Sequence, residues 1–343
     1  MSELPLPKET GFKTSPRTLV FTSAFTLASL ALWNVVAVYL CQASSSNLGY
    51  YLLREKWRLV NTVSKVDTVV VGDSSGNQGV IAENLGKVGS GLSLNVCTTA
   101  GSLVATDAWM IRRLLERGVV PTRIVVVHAY DAWGRTRERQ LVNALSQSPL
   151  TAAELAVSDP PISLTRSETF DLFTAKYIPL VSQNLTLQMF VTNPVAALRP
   201  PALTGGGYMQ VSDSNENRVR REANDFEEMA SHSTFQPSAI NEDAIDALIA
   251  ASDLHGVPIY FATSPVWQGI LQGESAAFCE QCHHWLQYKT ASAKNCHLLF
   301  AEPVGLPVEL MESLDHVNHD GAIKFTQMIT TRIKAIESGE STR

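Results

Sequence analysis

The sequence predicts an α/β fold, a flavodoxin-like three-layer sandwich around a mostly parallel five-stranded sheet, preceded by one transmembrane helix. Three observations predict it. Short β-branched runs, such as "TVVV" at Thr68–Val71 and "IVVV" at Ile124–Val127, have the length and composition of buried strands. These runs alternate with amphipathic stretches of helical period, the pattern of parallel strands joined by helical crossovers. Finally, "LVFTSAFTLASLALWNVVAVYL", from Leu19 to Leu40, carries no charge and matches the ~20 residues a helix needs to cross a bilayer.

In chain order, residues 1–18 form a cytoplasmic tail, 19–41 a membrane anchor or uncleaved signal, and 42–66 a connector containing "QASSSN". Lys8, Lys13 and Arg17 lie closer to the apolar run than Arg54, Lys56 and Arg58, which orients the main domain to the periplasmic or extracellular side. A cleaved signal peptide is the alternative, with "CQA" ending at Ala43 as a poor cleavage site. A domain over 67–338 follows. "TVVVGDS" reads as a strand, "VIAENLGKV" as a short helix and "LSLNVCTT" as a strand. "ATDAWMIRRLLERG" is a helix closed by Gly118, and "RIVVVHAYD" is the third strand. "NEDAIDALIAASDLHG" is a helix with Asn241 as N-cap and Gly256 as its stop, followed by the strand "PIYFATSP". "ESAAFCEQCHHWLQYKTA" is a helix, "CHLLFAEP" a strand, and "DGAIKFTQMITTRIKAI" the closing helix. The stretch 137–226 breaks the alternation with "SDPPISLT", "RPPALTGGG" and "NENRVRREANDFEE". It reads as an insertion with a helix or two, either a lid, a partner surface or plain linker.

The net charge of −6 and the absence of a basic patch exclude nucleic acid as a partner. "CEQCHH" at Cys279–His284 has the form of a c-type haem attachment signature, and Cys296 and His297 nearby raise zinc. The motif lies inside a predicted amphipathic helix with no second axial ligand set aside. A disulfide from Cys279 or Cys282 to Cys296, or plain packing, is the stronger reading. "NLT" at Asn184 matches a glycosylation acceptor.

Sites in open parallel sheets collect at the carboxyl ends of the strands. Those ends carry Gly72-Asp73-Ser74-Ser75, Gly101, His128 to Asp131, Ser264-Pro265 and, before the last helix, "LDHVNHDGA". A serine hydroxyl is a weak nucleophile unless a base activates it, and a histidine before the last helix can reach it across the sheet edge. Alone, Ser74 reads as a cap for the following helix. His128 reads as a satisfied histidine at a sheet edge, Asp131 and Arg135 as a structural ion pair, and Trp133 as packing.

"VVVGDSSG", "NVCTTAGS" and "DHVNHDGAIKF", in this order and spacing, resemble the SGNH (GDSL-type) hydrolase superfamily over about Val66 to Ile336, minus the insertion. "GVPIYFATSPV" resembles the same family's late strand. In layout the chain is similar to membrane-anchored members tied to polysaccharide O-acetylation, of the alginate acetylation type, and to the lipoteichoic-acid D-alanylation proteins. The resemblance implies a serine esterase or O-acyltransferase acting on polysaccharide acyl esters, with no metal or organic cofactor and with a membrane-bound acyltransferase as a partner. It puts Ser74 at the nucleophile, His316 at the base and Gly101 at a glycine whose N–H holds the oxyanion, with the Ser74 N–H beside it. His319 is the competing base. Two positions depart from the pattern. Ser313 stands where the family has its aspartate, leaving Asp315 or Glu312 to orient the imidazole, or a Ser-His dyad. His128-Ala129-Tyr130-Asp131 stands where the family has Gly-x-Asn-Asp, leaving Tyr130 or His128 to replace the missing amide; Asp73, Tyr130 and Asp131 are the further oxyanion- or substrate-side candidates. Losing one oxyanion donor costs ~2.7–4 kcal/mol of transition-state stabilisation, which opens a second reading, a catalytically impaired subunit that binds glycan or assembles with an acyltransferase.

Overall fold

A computed structural model of the chain describes residues 15–45, 47–85, 92–99, 102–136, 139–200, 203–211, 213–291 and 293–339. Its elements, in order, are α1 (Pro16–Ala43), α2 (Leu48–Thr62), β1 (Thr68–Gly72), α3 (Ser74–Gly79), α4 (Ala82–Leu85), β2 (Ser93–Asn95), α5 (Leu103–Glu116) and β3 (Arg123–His128). The insertion contributes α6 (Arg139–Leu145), α7 (Ala152–Ala156), α8 (Arg166–Tyr177), α9 (Pro179–Ser182), α10 (Asn184–Thr192), α11 (Pro194–Leu198) and α12 (Glu216–Ser231). The chain closes with α13 (Ala239–His255), β4 (Ile259–Thr263), β5 (Val266–Trp267), α14 (Ala276–Ala291), β6 (Cys296–Leu298), β7 (Gly305–Leu306) and α15 (His319–Glu337).

The five-stranded sheet is parallel throughout, in the order β2-β1-β3-β4-β6, with β5 and β7 pairing separately. Val69 stands opposite Leu94 and Ile124, and Ile124 opposite Ile259, so side chains of one phase share a face across the sheet. Val69, Val71, Ile124, Val126 and Phe261 join a core with α5, α13 and α14. Val70, Val125, Val127 and Tyr260 join a second with Phe325, Ile329 and Ile333 of α15. Strands buried on both faces explain why the sequence shows continuous apolar runs rather than alternation.

Several expectations are corrected. Within the connector, residues 48–62 fold as α2, capped by the Asn47 side chain, and Leu52, Leu53, Trp57 and Val60 are buried. Lys56, counted among the charges after the anchor, is buried too. Asn241 lies inside α13, whose N-cap is Ser238. The buried Asn241 amide donates to the carbonyls of Ala132, Trp133 and Arg135, and its Oδ1 accepts from Val104, bolting α5 and the β3 exit to α13. Gly256 does end the helix, at φ 65°. The insertion holds more than the one or two helices expected, and its charged stretch is the 16-residue α12. Cys41, Cys97, Cys279, Cys282 and Cys296 are all free and buried, so neither expected disulfide forms. Cys279 and Cys282 face the core, and among the described residues no group of three or more histidines, cysteines and carboxylates is placed to hold a metal ion.

α1 is long and apolar enough to cross a membrane, and nearly all of it is exposed.

Candidate active site

The site begins where β1 ends. Gly72 has φ 150°, and a Cβ there would stand 1.8 Å from the Val127 carbonyl oxygen, so only glycine fits between β1 and β3. The next residue, Asp73, is the N-cap of α3. Its Oδ1 accepts from the Ser75 N–H (2.9 Å) and hydroxyl (2.5 Å), and its Oδ2 from the Ala129 N–H (3.1 Å). Asp73, not Ser74, therefore caps the helix, and it is buried rather than turned toward a substrate. Ser74 occupies the first helical position, half-buried, its side chain left over from capping.

That side chain meets the last loop of the fold. Ser74 Oγ lies 2.9 Å from His316 Nε2, and His316 Nδ1 lies 2.7 Å from Asp315 Oδ1. Adjacent residues can cooperate because the loop doubles back: the Glu312 and Ser313 N–H groups both donate to the His316 carbonyl, at 2.8 and 3.1 Å. Ser313 Oγ is a second neighbour of His316 Nδ1, at 3.0 Å. Glu312 turns away and pairs with Arg218 of α12, while Glu222 of α12 accepts from the Leu314 N–H. The insertion thus braces the histidine loop. His319 begins α15, whose N-cap is Asn318, and its Nδ1 sits 3.0 Å from the Tyr208 hydroxyl, away from Ser74's base.

Burial opposes a charge on His316, but Asp315 outweighs it and lifts the imidazole to about 9. Asp315, against the pull of burial, is held below the usual carboxylate range by His316. The serine's proton can pass only to an unprotonated Nε2. Any reaction that passes the Ser74 proton to Nε2 is expected to quicken as pH rises and to level off above about 9, read as a pH profile of its rate. The sign for stability is opposite. The raised histidine contributes fully below its ordinary 6.5 and loses that contribution as pH rises through about 9.

Beneath Ser74 lies a second charged layer that sequence reasoning missed. His128 Nε2 is 2.6 Å from Asp107 Oδ2 and His128 Nδ1 is 3.5 Å from Asp73 Oδ2, with all three side chains buried. His128 is the last residue of β3, at the carboxyl edge of the sheet, with its Nε2 on Asp107. Burial disfavours its charge, yet the two carboxylates lift it to about 9, while Asp73 is held well below the usual carboxylate range. Lys56 is the other missed residue. Its ammonium donates to Asn77 Oδ1 (2.6 Å), Asn95 O (2.8 Å) and Gly207 O (2.6 Å), and complete burial pulls it down to about 7. Asn95 donates in turn to the Gly76 and Val80 carbonyls, so α3 is held on both flanks. Nothing in an amphipathic-helix pattern marks Lys56 as buried; the only cue is its position on the Leu52–Leu53–Trp57–Val60 face.

Tyr130 is buried, and its hydroxyl accepts from Thr263 at 2.9 Å. Asp131 pairs with Arg135 at 2.6 Å, the structural reading of that pair. Trp133 is fully packed, edge-on to His128. Gly101 lies outside the described residues. Beside Asp315 opens a cleft of about 290 Å³ whose walls include Phe226, Val266 and Ile270 and whose rim includes Asp131, Glu222 and Asp225. The arrangement joins a hydroxyl, an imidazole and a carboxylate in hydrogen-bond contact, the set needed for nucleophilic attack on an acyl carbonyl.

No known family model matches the chain, and no curated protein is significantly similar to it.

Proposed function

We propose that the chain is a membrane-tethered SGNH-like acyl-ester hydrolase or O-acyltransferase acting on a cell-surface or secreted polysaccharide. The single observation that carries the reading is the 2.9 Å contact between Ser74 Oγ and His316 Nε2, with Asp315 on the far nitrogen. Ser74 attacks the acyl carbonyl as His316 takes its proton. His316 then protonates the leaving oxygen, and the acyl group passes from Ser74 to a sugar hydroxyl or to water. The Ser74 N–H, at the first helical position where no intrahelical acceptor exists, serves as an oxyanion donor. The cleft beside Asp315 takes the substrate. The strand order β2-β1-β3-β4-β6, helically covered on both faces, supports the flavodoxin-like three-layer architecture. α1 is the anchor, with the domain on the periplasmic or extracellular side, where a membrane-bound acyltransferase would supply acyl groups.

The second reading, an impaired subunit that holds glycan without turning it over, is favoured by the Tyr130 hydroxyl being engaged by Thr263 with no amide in its place. One experiment separates the two. A fluorophosphonate probe is expected to form a single adduct, mapped by mass spectrometry to Ser74 and lost in His316→Ala. An unlabelled Ser74 in the folded protein rejects the enzyme reading.

A further inference from the structure

We infer that residues 177–198 of the insertion form a half-inserted collar, embedded in the acyl-chain region of the leaflet that α1 leaves as it enters the domain. This rests on the reading of α1 as a membrane span. The stretch "YIPLVSQNLTLQMFVTNPVAAL" carries no charged residue and is bounded by Lys176 and Arg199. Pro179 and Ala197 are buried, but the larger apolar side chains are not: Val181, Leu185, Val191 and Val195 are each more than 70% exposed, and Tyr177 and Leu198 more than half. α9 and α10 pack along α1, and α11 packs on α10.

Two contacts fix the depth and identify lipid as the occupant. Asn34, the one amide in the apolar run of α1, donates to the Tyr177 carbonyl (2.7 Å) and accepts from the Leu180 N–H (3.5 Å). These are the backbone groups freed where Pro179 breaks α8 from α9. Hydrocarbon offers such groups no water, so a side chain must satisfy them. Asn34 stands six residues before Leu40, about 9 Å along the helix, within the ~5–10 Å to which interfacial helices sink. The far end of the stretch returns to the surface level of α1, where the Ser45 N–H and hydroxyl bond the Ala197 and Arg199 carbonyls. Lys176 turns its ammonium back to the Leu150 carbonyl, the snorkelling expected of a cation at the boundary. On the reading of α1 as a span, a bilayer already surrounds it, and Val181, Leu185, Val191 and Val195 add exposed apolar side chains to its surface, beside the uncharged Ser182, Asn184, Gln188, Thr192 and Asn193.

The full chain, reconstituted alone into phosphatidylcholine–phosphatidylglycerol vesicles doped with a diazirine-tailed phospholipid, is irradiated and its adducts mapped. Adducts in both α1 and 181–195 are expected. Adducts in α1 alone overturn the collar and leave the anchor standing, as they would if a protein partner covers this face. Adducts in neither overturn the anchor as well. In L185D/V191D the collar adducts are expected to fall at least tenfold while α1 labelling is unchanged; equal collar labelling in that variant also overturns the inference.

Discussion

Ser74→Ala is expected to lower turnover of an activated acetyl ester by roughly 10³–10⁶-fold in kcat, with KM little changed. That corresponds to about 4–8 kcal/mol of transition-state stabilisation. The alanine keeps α3, because the cap is Asp73 and its acceptor bonds go to Ser75 and Ala129. His316→Ala is expected to fall as far, and the double variant no further, since nucleophile and base act as a unit. Asp315→Ala is expected to cost less, roughly 10²–10⁴-fold, because Ser313 Oγ still holds Nδ1 at 3.0 Å. Steady-state kinetics on the detergent-solubilised chain measure all four. Equal turnover in wild type and Ser74→Ala would place any observed hydrolysis elsewhere.

The largest stability effect is expected at a residue that touches no substrate. His128→Leu removes the cation between Asp73 and Asp107 and leaves two carboxylates in the core. Removing one partner of a buried pair costs about 3–5 kcal/mol. For a domain of this size that lowers Tm by roughly 6–20 °C. The pH dependence identifies the cause. Because His128 is lifted to about 9, its contribution is whole below its ordinary 6.5 and vanishes as pH rises through about 9. The gap between wild type and His128→Leu is therefore expected to be wide near pH 6.5 and to narrow above pH 9. H128L/D107L removes one of the stranded charges and is expected to recover part of the loss, the signature of coupling. Thermal unfolding followed by circular dichroism reads both; a Tm difference independent of pH would mean lost packing rather than lost charge.

Much of the sheet was legible because its strands are continuous β-branched runs: Val69–Val71 and Ile124–Val127 could be placed almost to the residue. Ser74 and His316 were singled out by the resemblance of their motifs and by their places at a strand end and before the last helix, and the structure brings the two side chains to 2.9 Å. Other features were illegible for physical reasons. Asp315 was a candidate beside Glu312, but the choice between them was not legible, because only the backbone doubling at Glu312–His316 lets the side chains of neighbours face one site. Asp107 lies mid-helix, 21 residues before the histidine it holds, and the pairing is created by α5 packing beside β3. Lys56 and Asn241 read as surface and cap because polar residues usually are; each is buried because it satisfies carbonyls that no backbone partner reaches. The insertion hid its helices among prolines, which begin α9 and α11 rather than interrupt them.

The hydroxyl and imidazole that meet at 2.9 Å are separated by 242 positions in the chain. A ribosome or translocon delivers the serine long before its histidine, and α15 must dock on α3 before the two can touch. Incomplete or truncated chains therefore carry the hydroxyl without its imidazole, and the pair is assembled only as the last segment docks.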